Sequence, residues 1–150
     1  MRQVRIATAA ALALCAAQAP AIAKIRGPDK APTRLAPYIA PFPTDQTWIL
    51  ETLNGKPVPS GLDASLTISA AFRATGFTGC NTWSATIYPT KDQRLAAGPI
   101  AITKSKCDKT LMKFEFDYLS AIASGPHWVR DGGELLLKGP RGELRFGRSL

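Results

Sequence analysis

From Trp48 onward, apolar side chains recur at every second position in short runs, and each run is cut by glycine, proline or asparagine. That period places one side chain in and the next out, as a half-buried β-strand requires. Trp48–Leu53 reads as a strand, with Trp48, Leu50 and Thr52 on one face and Ile49, Glu51 and Leu53 on the other. Asn54-Gly55 is a tight-turn dipeptide. Leu62–Ala70, Phe72–Thr78, Thr82–Tyr88 and Leu95–Thr103 continue the pattern, with a bend expected at Gly76 and a break at Gly98-Pro99. Gly79-Cys80-Asn81 reads as a compact turn. Glu134–Lys138 and Glu143–Phe146 close the chain, with Gly139-Pro140-Arg141-Gly142 as the hairpin between them. One segment breaks the period. After Asp108, a side chain suited to cap a helix, Leu111, Phe114 or Glu115, Tyr118, Leu119 and Ile122 follow helical spacing, and Met112, Phe116 and Ala123 widen the apolar face. Gly125-Pro126 stops this helix near Ala123. The fold class expected is mainly β (α+β): a curved antiparallel sheet or open barrel of about seven strands with one packed helix.

Ahead of this body stands a different kind of sequence. Arg2 and Arg5 precede an uncharged apolar run from Ile6 to Ala17, and Ala21-Ile22-Ala23 is a small-x-small cleavage site before Lys24. This order of charge, apolar core and small residues is that of a secretory signal peptide. The run of about 12 residues is too short to cross a bilayer as a helix, which takes ~20. The expected organisation is therefore residues 1–23 as signal peptide, 24–46 as a proline-rich linker, and 47–150 as the domain. Pro28, Pro32, Pro37, Pro41 and Pro43 favour an extended linker, which Tyr38, Ile39 and Phe42 are placed to pin to the domain. An alternative is a lipid anchor on Cys15, after Leu12-Ala13-Leu14, but such sites prefer Gly, Ala or Ser in the position that Leu14 holds. The expected location is periplasmic or secreted.

Losing the leader removes Cys15 and leaves two cysteines, Cys80 and Cys107, which permit a single pairing. In an oxidising compartment an even count reads as a structural disulfide. A redox-active pair is the alternative, but such pairs usually stand close together as C-x-x-C.

These residues resemble, in order, the META domain, also called the HslJ-like heat-shock family. The likeness runs from Thr47 to Gly147. It takes in Trp48-Ile49-Leu50 followed by Leu53-Asn54-Gly55, then Gly76-x-x-Gly79-Cys80-Asn81 with Trp83, then Ile100-x-x-Thr103-x-x-x-Cys107. It continues through the helix with Phe116 and Leu119 and ends at Leu135-x-Leu137 and Leu144-x-Phe146. Ser105-Lys106 departs from the family's frequent Met-Ala, and Ala85 stands where glycine is common. The resemblance implies a Cys80–Cys107 bond. It also implies small envelope or secreted proteins linked to stress response, drug tolerance or virulence, and it implies no enzyme. The family's fold is likened to the cracked barrel of secretion pilotins, which bind lipid or peptide tails.

The chemistry-bearing residues are sparse. His127, the one histidine, has Ser120, Ser124 and Asp131 near it in sequence, but no nucleophile-elbow motif surrounds them. One histidine and a paired set of cysteines make no standard zinc site. Asp108, Glu115 and Asp117 read as helix charges, and no glycine-rich phosphate loop precedes a helix. No cofactor is expected. The net charge of +8 concentrates in a candidate anionic-partner patch, Lys104, Lys106, Lys109 and Lys113, and along Arg141, Arg145 and Arg148. Anionic lipid, cell-wall polymer or an acidic envelope protein would suit such a patch, although a solvated basic surface is the plainer reading. Nucleic acid does not suit it, because no aromatic residues interleave as a stacking platform. The function expected is a non-enzymatic envelope binding or integrity module. The alternatives are a carrier of an apolar lipid or peptide tail within the barrel through Trp83, Phe72 and Phe77, and a hydrolase or redox enzyme with an unrecognised site.

Overall fold

The computed structural model describes residues 41–149. The leader, the cleavage point between Ala23 and Lys24, Cys15 and the proline-rich stretch before Pro41 lie outside the described residues. Within them the strands are β1 (Thr47–Leu53), β2 (Lys56–Pro57), β3 (Ala64–Ile68), β4 (Arg73–Thr78), β5 (Thr82–Thr90), β6 (Arg94–Ala97), β7 (Ala101–Ile102), β8 (His127–Asp131), β9 (Glu134–Gly139) and β10 (Gly142–Arg148). The helix α1 spans Lys109–Ala123.

Eight strands form a ring in the order β1-β3-β4-β5-β6-β8-β9-β10, and β10 returns to pair with β1. The sheet is therefore a closed antiparallel barrel, where the sequence suggested an open one of about seven strands. β2 folds back on β1 after Asn54-Gly55, and β7 extends the β5 ladder beyond β6. Closing the ring pairs β1 with β10, the two strands that an open sheet would leave as edges. β8 escapes the sequence pattern because Trp128 is its one buried residue. Its extended state comes from pairing with β9, Trp128 opposite Leu137.

The inward rows are apolar. Trp48 lies opposite Leu66, Ile68 opposite Ala74, and Leu50 opposite Phe146, and all six are buried. Burying the leucine, isoleucine and phenylalanine side chains among them stabilises by roughly 1.5–3 kcal/mol each. Strict alternation fails once in β1. A bulge at Glu51 shifts the register against β10, so Leu53 joins Trp48 and Leu50 inside while Thr52 stays half-buried. One extra residue reverses the parity of everything after it.

Gly76 is not a bend. It lies inside β4, paired with Leu66 and Trp83. A Cβ there would collide with the Ser65 carbonyl and come within 2.6 Å of the Trp83 Nε1. The missing side chain is what lets the Trp83 indole fill the barrel. The aromatics invoked for an interior carrier divide accordingly. Trp83 is buried, but Phe72 and Phe77 are exposed on the outside.

The helix starts where Asp108 accepts the N–H groups of Thr110 and Leu111, both at 2.9 Å. Its buried residues are Tyr118, Ala121 and Ile122. The Tyr118 hydroxyl donates to the Ser65 carbonyl of β3 at 2.8 Å. Its ring packs edge-on against Trp83 of β5 and Phe146 of β10. A side chain from outside a closed barrel reaches three such separated strands by entering an end, so α1 lids one mouth. Met112 and Phe116, counted on the sequence with the packing face, are 56% and 65% exposed. Upstream of β1, Phe42 packs edge-on against Trp128 with ring centroids 5.3 Å apart, and Asp45 bonds the backbone of Ile68 and Ala70. The folded body thus extends back into the segment read as linker.

Candidate functional site

The helix lid is held to the barrel by the segment that carries both cysteines. Thr78 ends β4 and is fully buried. Gly79 follows at φ +87°, where a Cβ would meet the Leu62 side chain, and this left-handed step suits glycine alone. Cys80 is bonded to Cys107 across a Cα–Cα distance of 6.3 Å, which ties this turn to the start of α1.

Asn81, 4% exposed, is the hub beneath the disulfide. Its Oδ1 accepts the Thr103 hydroxyl at 2.9 Å and the Ser105 N–H at 2.8 Å. Its Nδ2 donates to both oxygens of Glu115, at 3.0 and 3.3 Å. The Thr78 hydroxyl donates to the same carboxylate at 2.6 Å and accepts the Asn81 N–H at 2.9 Å. One side chain therefore joins the β4–β5 turn, the β7–α1 connector and the helix. Glu115, read from the sequence as a plain helix charge, is the acceptor that anchors α1. Its place 34 residues along the chain from Asn81 left no local signal.

The groups in this network satisfy one another. The surface around them is mixed, with Thr82, Ser105, Asp108 and Thr110 exposed. Between α1 and the β6–β7 edge runs a mostly apolar groove of about 440 Å³, lined by Ile100, Ile102, Met112, Phe116, Leu119 and Ala123, with Glu115 and Ser120 on its helix wall. Lys104, Lys106 and Lys109 are exposed on the connector and the helix start. Lys113 is exposed too and pairs with Asp117 at 2.6 Å. Of the hairpin arginines, Arg145 pairs with Glu134 at 2.6 Å.

The other candidates do not converge. His127 is exposed, with its Nδ1 3.0 Å from the Asp92 carbonyl. Ser124 donates to the Ala121 carbonyl at the end of α1. Among the described residues, no group of three or more His, Cys, Asp or Glu is placed to hold a metal ion. No described helix is long and apolar enough to cross a membrane.

Fold and site together define a small, disulfide-tied antiparallel barrel lidded by one helix, with a polar cluster bonded within itself and a mostly apolar groove outside. The META domain model matches residues 42–149, and the chain belongs to that family. Solved structures share the architecture. A protein from Burkholderia xenovorans, determined by NMR, is 26% identical with a TM-score of 0.58, covering 80% of this chain and 97% of its own. Another NMR structure, 20% identical with a TM-score of 0.59, covers 69% and 88% respectively. A crystal structure of a DUF4847 family protein from Bacteroides vulgatus has a TM-score of 0.53 at 16% identity, covering 69% and 92%. No curated protein matches this chain.

Proposed function

We propose that this chain is exported, loses residues 1–23, and acts in the periplasm or beyond as a non-enzymatic binding module of the cell envelope, in the setting of stress or surface integrity. The carrying observation is the division of labour at the disulfide end. Thr78, Asn81, Thr103 and Glu115 bond one another, while the groove beside them is mostly apolar and the adjoining connector exposes Lys104 and Lys106. Chemistry on a substrate needs polar groups aimed outward at a reacting atom. A mostly apolar groove, with exposed lysines on the connector that follows β7, suits binding instead. Export is supported by the leader residues and by the Cys80–Cys107 bond, which persists in oxidising compartments.

The test is expression of the full chain in a bacterial host, followed by fractionation and mass spectrometry. The expected result is a periplasmic protein that begins at Lys24, carries the Cys80–Cys107 bond and retains an envelope component under native conditions. Replacing Lys104 and Lys106 by glutamate should release that component. A cytoplasmic product that keeps residues 1–23, or hydrolytic turnover abolished by His127→Ala, would overturn the proposal.

A further inference from the structure

We infer that the free edge of β7, with the groove beside it, takes up an extended segment of a partner protein as an added antiparallel strand; the inference rests on the binding-module reading. β7 pairs only with β5, Trp83 opposite Ile102 and Ser84 opposite Ala101. The Thr103 N–H donates to the Thr82 carbonyl at 3.0 Å. Antiparallel ladders alternate, so Ala101 and Thr103 turn their polar groups toward β5, and Ile102 turns its N–H and C=O away. Ile100 makes no backbone hydrogen bond to another described residue. On its far side β6 meets β8 at one residue pair, Arg94 with His127. From Ala96 to Ile102 the barrel wall thus keeps an unpaired edge, and the mostly apolar groove lies beside its Ile100–Ile102 end, with Glu115 and Ser120 on the opposite wall.

Three observations choose the occupant. An acyl chain in this groove would cover the outward N–H and C=O of Ile102 without bonding them, which costs free energy, whereas a strand bonds them. Lys104 and Lys106 follow β7 directly and form none of the described ion pairs. An antiparallel strand brings its N-terminal flank beside them, so the charge-complementary partner is acidic there and apolar at alternate positions. The chain's own upstream segment fits on neither count. It carries Lys24, Arg26, Lys30 and Arg34 against one acid, Asp29, and its prolines lack the donors that an added strand needs.

The probe is a peptide library with a Glu-Glu start followed by threonine alternating with mixed Val, Ile, Leu and Phe. It is titrated into protein isolated with Cys80–Cys107 oxidised and followed by NMR and amide exchange. Saturable binding with slowed exchange at Ile102, and no change at the already bonded Thr103, is expected. Phe116→Lys, at a site already 65% exposed, should weaken binding at least about tenfold with an unchanged circular dichroism spectrum. Joint Lys104→Glu and Lys106→Glu should shift preference to a Lys-Lys-start library. No saturable peptide binding, binding that leaves the Ile102 amide unprotected, or phosphatidylglycerol vesicles that peptide fails to displace from the groove would overturn the strand-addition inference. If an envelope component still binds in those cases, the broader proposal stands; if nothing binds, both fall.

Discussion

At the residue scale, two buried polar side chains carry distinct work. The Asn81 side chain makes four hydrogen bonds to two other segments, accepting two at its oxygen from the β7–α1 connector and donating two from its amide nitrogen to Glu115 of α1. Asn81→Ala would take the Ser105 N–H's acceptor and leave the half-buried Glu115 carboxylate with the Thr78 hydroxyl alone among its described donors. We expect a loss of about 2–3 kcal/mol in urea unfolding, with the β7–α1 connector exchanging its amides faster. Tyr118 titrates in the opposite sense to a paired carboxylate. Burial pushes its phenol far above the ordinary value of 10.0, so the fold holds the protonated form more tightly than the unfolded chain does. Its contribution is fully present below about pH 10 and is lost as pH rises above that value. Unfolding midpoints measured between neutral pH and strong alkali should therefore fall at the alkaline end. Tyr118→Phe should flatten that fall while costing about 1 kcal/mol at neutral pH for the lost bond to Ser65. Gly76 shows the limit of reading residues singly. Its chain neighbours suggest a bend, but its cause is the Trp83 ring from the next strand.

At the element scale, the weak seam of the barrel lies between β6 and β8. A single residue pair joins them, and three side contacts reinforce it. The Leu95 N–H donates to the Pro126 carbonyl at 2.9 Å. The Arg94 guanidinium donates to the Gly125 carbonyl at 3.2 and 3.3 Å, just past the negative end of α1. The His127 ring meets the Asp92 carbonyl. Arg94→Ala should cost about 1 kcal/mol, because the pair is exposed. Its sharper signature should be faster exchange of the Leu95 amide with little change at the Trp83 amide on β5. Helix α1 itself was legible down to its cap, since Asp108, the helical spacing and Gly125-Pro126 are local signals. Its outer face was not. Met112 and Phe116 carry the same periodic mark as core residues, and only the position of the lid leaves them facing outward.

At the scale of the whole molecule, the Cys80–Cys107 bond closes a loop that contains β5, β6 and β7, with a sequence separation of 27. In the chain-entropy account such a loop stabilises by roughly 3–4 kcal/mol. Reduction with dithiothreitol, or Cys80→Ser with Cys107→Ser, should lower the unfolding free energy by about that amount in guanidinium titration. The barrel should remain recognisable by circular dichroism while native conditions last, because its apolar rows do not depend on the bridge. What the sequence determined alone is whatever neighbouring residues decide among themselves: the period-two strands, the helix and its cap, the turns, and the charge. Tertiary structure decided the rest. Ring closure depends on β1 meeting β10, which are held apart by almost the whole domain, and such a contact leaves no mark at either strand. The Glu51 bulge, the space above Gly76, the Asn81–Glu115 anchor and the unpaired β7 edge share that origin. Each exists because two distant segments arrive at one place, and a local pattern records only what its own neighbours require.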